Sequence, residues 1–216
     1  MFGLLFDMDG VIIDNHQYHF LSWQKLAEKH HIEITEEFYR TQMNGRTFKG
    51  IVEVVFKGEI PLEDARAIAY EKERIYRELY QPHLKPTEGL MDFLEAAREA
   101  GIPLVVGTSA PVENVDFTLD GLNIRDYFKG VVDDRAVSKG KPDPEVYLKC
   151  AKLAGMSPEN CVVFEDAVSG IKAGKAAGAK VIGLATSHKR HELEADLIVD
   201  NFTQIDLDVI QEVLNA

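Results

Sequence analysis

Apolar residues in this chain gather in short runs that stop abruptly at polar turns. Residues 2 to 6 end in Asp7-Met8-Asp9-Gly10, the pattern of a buried strand running into a turn. Pro103-Leu104-Val105-Val106 stops at Gly107-Thr108-Ser109, Val162-Val163-Phe164 at Glu165-Asp166, and Val181-Ile182-Gly183-Leu184 at Ala185-Thr186. Val131-Val132 and Leu197-Ile198-Val199 predict two weaker strands. Between these runs the period becomes helical, as at Leu90, Phe93, Leu94 and Ala97, closed by Gly101 and Pro103. Strands alternating with helices predict an α/β fold with a doubly wound parallel sheet. In such sheets ligands bind beyond the carboxyl ends of the strands, and that is where the polar residues cluster.

Residues 15–83 break the alternation, with helical patterns and no convincing strand. Phe20, Trp23, Leu26 and Ala27 form an apolar stripe, and Ala65 through Tyr80 read as a long, charged amphipathic helix. The expected organisation is a core domain of residues 1–14 and 84–216, with an all-helical cap domain of residues 15–83 inserted after the first strand. Hinges are expected near Val11 to Asn15 and His83 to Gly89.

At 216 residues the chain is long enough to bury a proper core. Its net charge of −12, without a basic and aromatic cluster, argues against nucleic acid as a partner. A phosphate ester would meet the same repulsion, so a site for one needs a metal ion or selected lysines. Cys150 and Cys161 have no partner at zinc spacing, which fits a reducing compartment. The start of the chain reaches an acid too soon for a secretory segment, and no apolar run spans a bilayer. A cytoplasmic, membrane-free monomer is expected.

The acids Asp7 and Asp9, two apart on extended backbone, point the same way, so one can be a nucleophile and the other a proton carrier. A carboxylate attacking phosphorus needs a hard divalent cation on oxygen ligands, and Glu165-Asp166 can complete that site. Each acidic pair read alone can also merely terminate a strand. Thr108 and Ser109 can offer a hydroxyl and N–H groups to phosphoryl oxygens, or can simply cap a helix. Lys141, between Gly140 and Pro142-Asp143-Pro144, sits in a stiffened loop and can neutralise nucleophile and phosphate, with Asp143 capping the next helix. Lys139 reads as solvated. His16, His30 and His31 read as solvated helix surface, and Gly170, Gly174 and Gly178 as close helix packing.

In order, Asp7-Met8-Asp9-Gly10-Val11, Thr108, Lys141 in Gly-Lys-Pro-Asp-Pro, and Glu165-Asp166 span essentially the whole chain. This set resembles the four motifs of the haloacid dehalogenase superfamily, in the branch holding β-phosphoglucomutase and related sugar phosphatases. The resemblance implies a Rossmann-like core and an Asp7 that is phosphorylated in turnover. It further implies Asp9 as general acid and then base, and a phosphate grip by Thr108, Ser109 and Lys141. Magnesium would be held by Asp7, Asp166, Glu165 and the backbone carbonyl of Asp9. An acid at the Asp9 position favours phosphate esters over the halide and phosphonate substrates of related enzymes.

Tyr18-His19-Phe20-Leu21-Ser22-Trp23 is similar to the first cap helix of the mutases, whose matching histidine couples acid-base chemistry to cap closure. The cap loop Met43-Asn44-Gly45-Arg46-Thr47-Phe48 departs from the mutase pattern, with Asn44 and Phe48 replacing its lysine and arginine. Asn15 replaces its hinge threonine. A mutase must hold a second phosphate, so loss of both cations removes the obvious grip. The expected activity is a magnesium-dependent phosphatase for a small phosphorylated metabolite, with β-phosphoglucomutase as the alternative. His19, Arg46 and Thr47 are the candidate substrate contacts in the cap.

Overall fold

The computed structural model describes residues 1–43, 48–58 and 61–216. They divide into two compact units, Met1–Asp14 with Leu84–Ala216, and Asn15–His83. In chain order the elements are β1 (Gly3–Phe6), α1 (His16–Lys29), α2 (Glu36–Phe38), α3 (Phe48–Val55), α4 (Leu62–Tyr80), α5 (Leu90–Glu99), β2 (Leu104–Gly107), α6 (Val112–Gly121), β3 (Gly130–Val132), α7 (Glu145–Ala154), β4 (Cys161–Glu165), α8 (Val168–Ala177), β5 (Lys180–Leu184), β6 (Leu197–Val199) and α9 (Leu207–Asn215).

The core unit carries one parallel sheet of order β3-β2-β1-β4-β5-β6. Each predicted strand is present, including the two weak ones at the edges. β1, β2 and β4 are buried throughout, which is why they read as unbroken apolar runs: a parallel sheet covered on both faces needs no polar side. Period two still sorts their residues. Leu5, Val105 and Val163 share a buried cluster with Tyr147, Cys150 and Ile171 of α7 and α8. Phe6 and Phe164 point the other way, stacked with centroids 4.7 Å apart, and meet Phe93 and Phe202. The strand order reverses between β1 and β4, so the crevice for a ligand lies beyond the carboxyl ends of those two strands. Gly3 to Phe6 pair with Cys161 to Phe164 in register, which sets Asp7 beside Glu165.

The helical unit is built around Trp23, Leu26, Ile34, Met43, Val52, Ile68 and Ile75. No strand occurs among its described residues. Trp23, Leu26 and Ala27 of the apolar stripe of α1 are buried and Phe20 is half-buried, and α4 begins earlier than the sequence indicated. One expectation is corrected: His30 and His31 do not lie on a helix surface. α1 stops at Lys29, His30 caps it, and His31 turns the chain at φ 58°, both histidines exposed. Asn44, Arg46 and Thr47 lie outside the described residues. Among the described residues no helix is long and apolar enough to cross a membrane.

Candidate active site

Asp7 leaves the sheet at the end of β1, its N–H donating to the Phe164 carbonyl at 2.9 Å. Its side chain keeps 12 % exposure. Lys141 Nζ lies 2.9 Å from Asp7 Oδ1 and 2.6 Å from Glu165 Oε1, and donates to the Gly107 carbonyl at 3.3 Å. These three partners match the three N–H bonds of an ammonium. Burial pushes the Asp7 carboxyl up to about 7, with Lys141 opposing and Glu165 and Asp9 adding to the rise. Burial also works against the Lys141 charge, but Asp7 and Glu165 outweigh it and hold the ammonium above its ordinary value.

Glu165 is fully buried and its four acceptor positions are all engaged by protein donors. Oε1 receives Lys141 at 2.6 Å and the Tyr147 hydroxyl at 2.7 Å; Oε2 receives the N–H of Asp166 at 3.1 Å and of Ala167 at 3.2 Å. Asp166 is buried too, and burial first, then the charges of Glu165 and Asp7, hold its carboxyl well above the ordinary value. One carboxylate oxygen from each of Asp7, Glu165 and Asp166 falls within 4.8 Å of the others. These three acids face the Lys141 ammonium and, when ionised, leave two negative charges over, a balance that one divalent cation restores. The donors are hard oxygens, as magnesium requires.

The Asp9 turn is tightly tied: Met8 accepts from Val11, Ile12 and Ile13, and the Gly10 N–H donates to the Ile13 carbonyl at 2.7 Å. Met8 is fully buried whereas Asp9 is half-buried, as alternation of side chains directs. Gly10 has φ 74°, and a Cβ there would overlap the Asp166 carboxylate. Thr186 donates its hydroxyl to the Gly10 carbonyl at 2.6 Å, and Ser187 donates to the Asp166 carbonyl at 3.1 Å. Gly170 differs from the packing role read in the sequence, because a Cβ there would overlap Glu165.

Thr108 is buried at the end of β2, its hydroxyl accepting from the Ala110 N–H at 3.0 Å. It is not the cap of α6, which starts after Pro111. Ser109 is exposed beside it. Asp143 Oδ1 does accept from the Glu145 N–H at 3.1 Å at the head of α7, and exposed Lys139 pairs with Asp143 at 3.5 Å.

The structure thus brings Asp7, Lys141, Glu165 and Asp166 together, with Asp9 and Thr108 on adjoining strand ends. His19 belongs to a separate cluster in the helical unit. Its ring stacks on Tyr76 with centroids 4.1 Å apart, Nδ1 accepts from buried Lys72 at 2.7 Å, and Asn15 Nδ2 lies 3.3 Å from Nε2 while donating to Tyr76 at 2.5 Å. Arg46 and Thr47 lie outside the described residues. Sequence reasoning missed Tyr147, Thr186, Ser187 and Lys72. Lys72 carried a faint signal as a charge on the face of α4 that repeats with Ile68, Ile75 and Tyr76.

Residues 3–178 match the family described as haloacid dehalogenase-like hydrolase. A phosphorylated carbohydrates phosphatase of Thermotoga maritima is 33 % identical over 220 residues, covering 99 % of this chain and 100 % of that protein. A β-phosphoglucomutase of Bacillus subtilis is 30 % identical over 220 residues, covering 98 % and 95 %. The crystal structure of a HAD hydrolase, family IA, variant 3, from Entamoeba histolytica superposes with a TM-score of 0.94 at 31 % identity, covering all of both chains.

Proposed function

Because the chain belongs to the haloacid dehalogenase-like hydrolases and is an enzyme, we propose that it is a magnesium-dependent phosphatase of a small phosphomonoester, of the sugar phosphate class. The observation that carries this reading is the meeting of Asp7, Lys141, Glu165 and Asp166 where β1 and β4 diverge. Names of similar proteins support the substrate class: one acts on phosphorylated carbohydrates, another on phosphoglucose.

In the proposed reaction an Asp7 oxygen attacks phosphorus in line as the bond to the leaving alkoxide breaks, and Asp9 hands that alkoxide a proton. Asp9 then takes a proton from water as the water oxygen attacks the aspartyl phosphate, releasing phosphate and restoring Asp7. Lys141 opposes the protonation that burial favours at Asp7 before attack, and once esterification removes the Asp7 charge its N–H can turn to the phosphoryl group. Thr108 and Ser109 lend a hydroxyl and N–H groups to the same oxygens. Asp7, Asp166 and the Asp9 carbonyl would hold magnesium, which when bound would supply the charge that lets a carboxylate approach a phosphoryl group. Glu165 belongs beside that ion as the counter-charge of Lys141, since protein donors occupy its oxygens. The groups named all come from one polypeptide, so a monomer suffices, and a cytoplasmic location is proposed with it. Residues 15–83 are the proposed cap that selects the substrate, with His19, Arg46 and Thr47 as contacts.

A second reading, transfer between positions of a sugar phosphate through a bisphosphate, is favoured by the mutase relative and by the His19–Lys72 pair. A sugar phosphate panel assayed with magnesium should release inorganic phosphate; Asp7→Asn or a chelator should abolish release. Isomer formation primed by a sugar bisphosphate, without phosphate release, would instead select the mutase.

A further inference from the structure

Tyr147 is fully buried on α7 and is not a member of any motif that marks the site. Its ring packs in the cluster of Leu5, Val105, Cys150 and Val163 that lies under the strand ends. Two contacts lead from it into the site. The hydroxyl donates to Glu165 Oε1 at 2.7 Å, and Lys141 Nζ stands 5.0 Å from the ring centroid. The same Oε1 receives Lys141 at 2.6 Å.

We infer that Tyr147 is a positioning residue for phosphoryl transfer: it fixes and shares the Glu165 carboxylate so that the Lys141 ammonium is held at the nucleophile. This rests on the proposed role of Asp7 as nucleophile. Buried Glu165 needs a donor on every lone pair. Without the tyrosine hydroxyl, Oε1 would bind the ammonium alone and draw it from Asp7 Oδ1. The demand is greatest after esterification, when Asp7 loses its charge and Glu165 becomes the chief competitor of the phosphoryl oxygens for Lys141. A donor that already occupies half of Oε1 weakens that competition. The face of the ring steadies the ammonium from a second direction without claiming an N–H.

Tyr147→Phe keeps the ring and removes only the hydroxyl. With magnesium and the best substrate of a sugar phosphate panel, it should lower kcat about tenfold, the scale of one hydrogen bond to a charged group, and leave KM within about twofold, as a loss confined to the transition state does. Its thermal midpoint should fall by only a few degrees, the scale of one donor lost from a buried carboxylate. The adduct of beryllium and fluoride on Asp7 should show a shifted fluorine NMR resonance for the fluorine facing Lys141. Equal kcat and equal fluorine spectra in the two proteins would overturn the assignment. So would a lower melting point with unaltered spectra, which marks a packing role only. If the variant does not fold, ring-fluorinated tyrosine at position 147 alters donor strength while keeping the shape, and an unchanged kcat there would overturn the assignment equally. A wild-type protein that neither releases phosphate nor forms the adduct would reject the nucleophile itself, a different signature from a phenylalanine variant that behaves as wild type.

Discussion

Lys141 in the core unit and Lys72 in the helical unit are both nearly removed from water, with side chains 9 % and 5 % exposed. Lys141 is surrounded by charge: it holds two carboxylates and a carbonyl, and a third carboxylate, Asp166, stands in the same cluster. Lys72 is surrounded by rings. It meets His19 Nδ1 at 2.7 Å, Glu73 at 2.9 Å, and the faces of Tyr76 and Trp23 at 5.4 and 6.0 Å. The first environment is fitted to a reaction in which negative charge gathers and moves. The second sets one ammonium against a single histidine nitrogen and the faces of two aromatic rings. Burial by itself therefore says little about a lysine; the groups it leaves behind when removed say more.

The same substitution in both regions tests this. Lys141→Met should strand Asp7 and Glu165 as buried charges and cost about 3–5 kcal/mol, the range for breaking a buried pair. Lys72→Met should cost less, about 1–2 kcal/mol, because Glu73 has 21 % exposure and can turn to water, which leaves one ring nitrogen of His19 as the main group without its donor. Urea denaturation of the metal-free proteins measures both. Equal losses would end the distinction.

Gly170→Ala sharpens it within the core unit. A methyl there displaces Glu165, so roughly 1–3 kcal/mol of stability should be lost, as in other overpacked sites, together with most activity. Gly140, where a Cβ meets nothing nearby, should accept alanine with little change in melting temperature or turnover.

The charge imbalance also predicts a pH effect. Burial raises Asp7 from 3.8 to about 7, so the metal-free folded state binds more protons than the unfolded chain between those values. Stability without metal should therefore fall as pH rises from about 4 to about 7, and Asp166, also raised by burial, extends the fall in the same direction. Magnesium competes with those protons, so its thermal stabilisation should be larger at pH 8 than at pH 5.5. Constant stabilisation across that range would deny that the ion and the proton share a site. A small effect is expected at Thr186→Val, which removes one hydroxyl from the Gly10 carbonyl: about 1 kcal/mol by thermal melts, with a few-fold loss of turnover.

The core was legible because its grammar is local. A strand and the acid that ends it are contiguous, as at Phe6-Asp7 and Phe164-Glu165, and parallel pairing of β1 with β2 and β4, and of β2 with β3, then places four separated turns on one side of the sheet. Residues whose role depends on a distant partner gave no such signal. Tyr147 reads as one more apolar position of α7, and Thr186 lies 176 residues from the carbonyl it holds. The glycine series was only partly read. Gly174 does pack a helix against Val163 and Val181 and Gly178 closes it at φ 89°, but Gly170 makes room for a carboxylate. In the helical unit Lys72 and His19 lie 53 residues apart on α4 and α1, and helical periodicity shows which face is buried without naming its polar partner.

The central claim is that Asp7 itself carries the phosphoryl group during turnover. Quenching the magnesium-loaded protein in mid-reaction with borohydride, which reduces an acyl phosphate to an alcohol, and sequencing the peptide by mass spectrometry tests it at a single atom. The account predicts homoserine at position 7 in the wild type and none without substrate. An intact Asp7 in protein quenched while phosphate is being released would contradict it.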